Sequence, residues 1–395
     1  MGSTLGFIAT VVGLGAIFGQ MLESSGGAGA LAGYLLGKFG TDKSSWALML
    51  TGFMVGIPIF FDIGLIILVP LVYAISKNTG KSLLYYAAPL MAGLAATHAL
   101  VPPTPGPTAV AQILGVDLGW VVIFGLAAGI PAAILAGPVY GRYIAKRMFI
   151  KVPDILAEIQ KKPGEGEKTQ PSFGVVFLLI ALPLILIIAG TFFNLGVEKE
   201  ILRKSVPVNI VIFLGHPFTA LIIATLLSVL LCLRRGYKGN EILDLSTKAL
   251  GPAGIIILVT GAGGVLKQIL VDSGIGSVIA GSVSGSSFPL IVLAWIIAAL
   301  VRITQGSATV AMITAAGIVA PMLGSFNLSQ PETALIVIST ASGSTILSHV
   351  NDSGFWIVSK YLGMNEKQTL KSWTMMETII AVTGLVITFS VSLLI

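Results

Sequence analysis

Charge is scarce in this chain of 395 residues: Asp, Glu, Lys and Arg make up 10% of it, against about 25% in an average soluble domain. A water-soluble fold cannot hide the accompanying 55% of hydrophobic residues, and a mean hydropathy of +0.96 places the chain among membrane proteins. Cysteine is rarer still. The single Cys232 excludes a disulfide framework and any cysteine-rich metal site. Short alternations of apolar and polar residues, the mark of a membrane barrel, are also missing. That leaves α-helices as the way to satisfy every backbone group in lipid. The first apolar segment has no basic flank, so no signal peptide is evident. The net charge of +6 does not point to nucleic acid, because the basic residues lie beside apolar spans without interleaved aromatics. No residue pattern calls for a cofactor.

What is present is a series of apolar runs of bilayer length. Candidate spans are Thr4 to Leu22, Trp46 to Ser76, Leu83 to Val116, Leu118 to Ile144, Phe173 to Phe193, Val206 to Leu233, Gly251 to Leu270, Phe288 to Leu323, Thr333 to Ser348 and Trp373 to Ile395. The clearly polar stretches are Arg142 to Pro171 and Gly236 to Leu245, read as loops. Seven Lys and Arg residues from Arg142 to Lys168 crowd the first, and Arg234, Arg235 and Lys238 the second, which puts both in the cytoplasm with two spans between them. Two spans do not fit a plain crossing. Trp46 to Ser76 is about 46 Å long if helical, which predicts two half-helices or a strong tilt. Leu83 to Val116 contains Pro102, Pro103, Pro105 and Pro107, and no helix runs through that cluster. Unwound backbone at membrane depth must be buried in protein or line a watery cavity.

An internal repeat organises these breaks. Gly13 to Gly33 matches Gly261 to Gly281 at an offset of 248, with identities at eight of 21 positions. Downstream, Thr97, His98 and Ala99 ahead of one break are paired with Ser348, His349 and Val350 ahead of another. The expected organisation is a first repeat over 1–147, a cytoplasmic linker over 148–172 and a second repeat over 173–395. The repeats are expected to be inverted, with broken helices meeting near the membrane midplane. Two spans precede the motif in the second half and none in the first, so the chain is expected to be an N-terminally shortened form, or one whose natural start lacks that pair.

The stretches GIPIFFDIGLIILVPL from Gly56, ATHALVPPTPGP from Ala96, RITQGSATVAMITAAG from Arg302 and SHVNDSGFW from Ser348 together resemble the gluconate permease family of proton symporters, within the ion-transporter superfamily. The resemblance covers nearly the whole chain. It implies proton-coupled uptake of gluconate or a related hydroxy-acid anion such as glycerate, fructuronate or D-serine across a bacterial inner membrane. It also implies a homodimer, and about 50 further residues ahead of Met1. A sodium-coupled carboxylate carrier of the same superfamily is the alternative.

The residues support a transport reading on their own chemistry. Asp62, inside an apolar segment, is costly at bilayer depth, so it is either a site that titrates during transport or a cap on the break at Phe60 and Phe61. Arg302 follows a strictly apolar run and is suited either to clamp a carboxylate or to pair internally with Asp62 or Asp352. Gln305, Ser307 and Thr309 offer neutral partners for sugar hydroxyls, and a helix starting near Ser307 aims its amide end at an anion. Thr104 and Asn351, in the two polar breaks, are further candidate substrate ligands. His98, His349 and Asp352 are candidate proton carriers, with an ordinary hydrogen-bonding role as the alternative for each histidine. Glu23, unmatched in the second copy, reads as a gate or interface residue, and His216 as structural. A serine hydrolase built on Ser348 and His349 is disfavoured because adjacent helical residues point apart, and a channel has no need of two broken repeats.

Overall fold

A computed structural model describes residues 2–40, 42–153, 170–274 and 289–395, and the regular structure in them is helical. Nine helices among the described residues are long and apolar enough to cross a membrane. The chain begins with α1 (Gly2–Ser24) and α2 (Gly27–Phe39). The next two apolar stretches are both broken, as their length and prolines require. Ser44–Val55 (α3) and Phe61–Thr79 (α4) are parted at Gly56 to Phe60, and Leu83–Leu100 (α5) and Pro105–Leu114 (α6) at Val101 to Thr104. Pro105 and Pro107 do not interrupt α6, since they sit in its first turn, where the amides have no helical partner. Leu118–Ile134 (α7) continues through a π-helical turn, Leu135–Val139, into Tyr140–Arg147 (α8).

The second half opens with Phe173–Glu198 (α9). The stretch expected as one span from Val206 is two helices, Val206–Gly215 (α10) and Pro217–Arg234 (α11). They part at His216, whose Nδ1 accepts the Phe218 amide at 3.3 Å to cap α11. Gly239–Asp272 (α12) corrects a second expectation. The segment Gly236 to Leu245, read as a loop, supplies its first turns, because polar residues beyond the bilayer extend a helix as readily as they end it. Then follow Leu290–Gln305 (α13) and Ala308–Val319 (α14), broken at Gly306 and Ser307, and Gln330–Gly343 (α15) and Ser353–Leu362 (α16), broken at Ser344 to Asp352. Glu366–Thr369 (α17) passes through a π-helical turn, Leu370–Thr374, into Met375–Ser392 (α18). Lys161, Lys162 and Lys168, and the repeat motif beyond Gly274, lie outside the described residues.

One register relates the halves. The offset of 248 carries Pro105–Leu114 onto Ser353–Leu362 residue for residue, the left-handed glycines Gly26 and Gly115 onto Gly274 and Gly363, and Leu118 onto Glu366. This corrects the pairing of the histidines, which needed an insertion of three residues that neither the helices nor their caps contain. His98 is matched by Ile346 and His349 by Val101, while Thr97 meets Thr345 and Thr104 meets Asp352.

Equivalent helices run antiparallel, as inverted repeats require. The end of α8 lies against the start of α17 and α18, where the Tyr140 hydroxyl donates to the Lys371 carbonyl at 2.5 Å. Met21, late in α1, packs with Ile242 and Leu245, while Gly13 faces Leu250 further along α12. Within the first half, α3 and α5 cross at contact distance: a Cβ on Gly52 would lie 2.2 Å from the Leu90 carbonyl oxygen, and one on Gly93 2.2 Å from that of Met49. Small residues of this kind let membrane helices pack without a hydrophobic driving force.

The two basic loops share one end of the bundle. Gly26 faces Gln170 and Pro171, and the Tyr237 hydroxyl donates to the Ser24 carbonyl at 2.6 Å. The opposite end joins the α6–α7 turn to the start of α15, where the Asp117 amide donates to Gln330 Oε1 at 2.9 Å. Lys77 and Ser325, both exposed and related by the 248-residue offset, therefore lie at opposite ends. A membrane-impermeant maleimide is expected to label Lys77→Cys only from the cytoplasmic side and Ser325→Cys only from the other; labelling of both from one side would refute the inversion.

Candidate functional site

Of the five breaks described above, three border one cavity of about 390 Å³, within the range of about 300–1,000 Å³ typical of small-ligand sites. Phe61 and Asp62 enter it from the first turn of α4, Ser307, Ala308 and Thr309 from the start of α14, and Asp352, Ser353 and Gly354 from the start of α16. Three helix N-termini thus border one space, and each brings amides and the positive end of a helix dipole.

The breaks in the second repeat hold each other in place. Gly306 is left-handed, with φ of 92°, and a Cβ there would lie 2.2 Å from the Asn351 carbonyl oxygen, so glycine is required both by conformation and by contact. Asn351 Nδ2 donates to the Ile303 carbonyl at 3.0 Å, satisfying a group freed by the end of α13. Ser307 accepts the Val310 amide at 3.4 Å and caps α14. Asp352 caps α16 by accepting the Gly354 amide at 3.1 Å with Oδ1.

The second oxygen of Asp352 ties the breaks together. Oδ2 accepts from Arg302 Nη2 at 2.5 Å and from the Ser348 hydroxyl, and Ser348 Oγ in turn accepts the Trp373 indole N–H at 2.6 Å. Of the two readings of Arg302, internal pairing is realised, with Asp352 as the partner. The pairing is incomplete, however. Arg302 is 4% exposed, it lines the cavity, and its Nε and Nη1 have no partner among the described residues. A guanidinium so buried with donors unspent is costly unless something accepts from them.

Most sequence candidates are brought together here. Asp62, His98, Arg302, Gln305, Ser307, Thr309, Asn351 and Asp352 all line the cavity. Asp62 makes no hydrogen bond among the described residues, so its carboxyl does not act as a cap. Thr104 and His349 do not line this cavity. The Thr104 hydroxyl donates to the Val101 carbonyl at 2.6 Å beside a cleft of about 10 Å³, which it shares with His98 and Phe60. The His349 Nδ1 accepts the Asn351 amide at 3.4 Å. The His98 ring stands edge-on to Phe60 at 5.8 Å, with a buried Nδ1 that has no partner among the described residues. Glu23 lies apart at the α1–α12 interface, where it accepts from Gln20 Nε2 at 3.1 Å near Lys248.

One ionisable lining residue escaped the sequence reading. Glu377 of α18 is 4% exposed, faces the cavity one turn beyond Trp373 and lies within electrostatic reach of Arg302 and Asp352. The signal was the one that exposed Asp62, a carboxylate in an otherwise apolar span.

The sequence matches the family described as GntP family permease over residues 1–394. It is 40% identical over 388 residues to the low-affinity gluconate transporter of Escherichia coli K12, covering 98% of this chain and 85% of that protein. It is 37% identical over 395 residues to the Gnt-II system L-idonate transporter of the same organism, covering 98% and 85%. Among solved structures, the Alcanivorax borkumensis YdaH transporter, described as having an unusual topology, superposes with a TM-score of 0.65 at 14% identity, over 99% of this chain and 87% of that one. At that identity the likeness is one of fold.

Removing one partner of the buried ion pair leaves a charge uncompensated, at a cost of about 3–5 kcal/mol. Asp352→Asn is therefore expected to lower the unfolding temperature in detergent markedly. The double variant Arg302→Met, Asp352→Asn, which keeps a capping oxygen on α16, is expected to recover part of that loss, and equal destabilisation by both would refute the uncompensated charge as its cause.

Proposed function

The chain belongs to the GntP family of permeases, and on that premise we propose that it carries gluconate or a related small hydroxy-acid anion into the cell across the bacterial inner membrane, by alternating access and together with protons. The observation that carries this reading is the incompletely satisfied guanidinium of Arg302 beside three helix N-termini on one cavity. A carboxylate placed there accepts from Arg302 donors that the protein leaves unspent, and meets the positive ends of α4, α14 and α16. Gln305, Ser307 and Thr309 then face the hydroxyl-bearing carbons. Relatives that carry gluconate and L-idonate by name fit a site of this size and polarity.

The charge balance of the lining argues for coupling. Asp62, Asp352 and Glu377 oppose one Arg302, a formal charge of −2 with every carboxyl ionised and His98 neutral. A substrate anion would raise this to −3. At an effective dielectric of about 20, two like charges about 4 Å apart repel by about 4 kcal/mol, so the anion is accepted most readily when carboxyls in the cavity are protonated. Proton binding and anion binding are then linked, and each strengthens the other by the same factor.

The three carboxyls are not equivalent in this role. Asp352 is already engaged by Arg302, Ser348 and the Gly354 amide. Asp62 and Glu377 make no side-chain hydrogen bond among the described residues, which leaves them as the carriers. Glu377, 4% exposed, is the more deeply buried of the two and the principal one.

The test is uptake of labelled gluconate into proteoliposomes under an imposed inward proton gradient and, separately, a sodium gradient. The wild-type protein is expected to accumulate gluconate with protons alone. Glu377→Gln is expected to abolish accumulation while retaining exchange of labelled for unlabelled gluconate, since a neutral residue binds the anion without carrying a proton. Accumulation by E377Q would reassign the carrier to Asp62, and accumulation under sodium alone would overturn proton coupling.

A further inference from the structure

We propose that a groove between the end of α8 and the start of α17 and α18 binds the phosphate headgroup of an anionic membrane lipid. The space is about 550 Å³ and, although Met375 lies between Trp373 and Glu377 in the sequence, it shares none of the transport cavity's lining residues. Arg147 from one wall and Lys367 and Lys371 from the other converge on it, and no Asp or Glu is among the lining residues. None of the three cations forms an ion pair among the described residues. Three like charges gathered around an open space repel one another, and an anion with several acceptor oxygens relieves that repulsion.

The groove's position decides between a lipid and a soluble anion. It sits where the membrane-spanning segments Leu118–Arg147 and Glu366–Ser392 end. It lies at the end of the bundle that carries the basic loops, because Pro153 of the linker packs against Gly363 just ahead of α17. By the positive-inside rule this is the cytoplasmic leaflet, where basic pockets between transmembrane helices meet anionic headgroups.

The walls have the graded polarity of a lipid. Tyr140 and Tyr143 stand at the interfacial level, with the Arg147 guanidinium over the Tyr143 ring at 4.5 Å. Met375 lines the groove, and beyond its lining, on the same two segments, Leu135, Val139 and Val382 are 44%, 53% and 45% exposed, an apolar track on which acyl chains can lie. Both walls carry a π-helical turn, Leu135–Val139 and Leu370–Thr374, and the hydrogen bond from Tyr140 to the Lys371 carbonyl sets their spacing. A free phosphate would use the three cations and leave this track uncovered.

The test is thermal unfolding of the purified chain in neutral detergent with added phosphatidylglycerol, phosphatidylcholine or inorganic phosphate. Phosphatidylglycerol is expected to raise the unfolding temperature of the wild-type protein and phosphatidylcholine is not, since a ligand that binds only the folded state stabilises it. Arg147→Gln, Lys367→Gln, Lys371→Gln together should lose the shift. The control Lys199→Gln, Arg203→Gln, Lys204→Gln, which removes as many cations from an exposed loop at the other end, should keep it. Lys371→Glu alone, at an exposed side chain, should lose it too. A phosphatidylglycerol shift that survives in these groove variants, or is absent from the wild type, overturns the proposal, and reproduction of the shift by inorganic phosphate assigns the groove to a soluble anion instead.

Discussion

The structure turns on the contact between two helix breaks in the second repeat. A broken helix in a membrane frees carbonyls and amides that lipid cannot satisfy, and here each break supplies what the other lacks. Asn351 donates to the last turn of α13, Gly306 admits the Asn351 backbone, and Asp352 caps α16 while holding Arg302. These contacts leave a space between the breaks, because four chain directions converge there and none continues as helix. The cavity follows from that geometry, and the residues that satisfy the backbone are for the most part those available to a ligand.

The chemistry of the site is unequally shared. The offset of 248 places Asp352 opposite Thr104, Arg302 opposite Met54, Glu377 opposite Gly129, and Asp62 opposite Val310. One architectural slot, the cap of a ten-residue half-helix, is therefore filled by a neutral hydroxyl in the first repeat and by a carboxylate in the second. The hydroxyl only bonds its own turn, whereas the carboxylate also organises a buried cation.

Much of this was legible in the sequence, for identifiable reasons. Pro102, Pro103, Pro105 and Pro107 cannot lie within one helix, so the α5–α6 break was forced, and the length of Trp46 to Ser76 foretold the break ahead of Asp62. Carboxylates in apolar runs flag themselves through their desolvation cost, and Asp62 was found in that way. Glu377 gives the same signal yet lies outside every distinctive motif, in a helix whose register toward the cavity is set by tertiary packing. The histidine pairing failed because two histidines near two breaks share composition without register, and only the equal helices and glycine caps fixed the alignment. The α10–α11 turn at His216 was invisible for a related reason: a single His-Pro step within a continuous apolar run carries no change in hydropathy.

The antiparallel pairing of equivalent helices has a further consequence. Two chemically identical inverted halves would give an inward-open and an outward-open state related by symmetry, and hence of equal energy. In this chain the ion pair and two of the three carboxyls belong to one half. If the chain works by the alternating access proposed above, exchange of the halves' conformations would move charge relative to the membrane, so the two states would be unequal in energy at rest and the membrane voltage would itself act on the cycle.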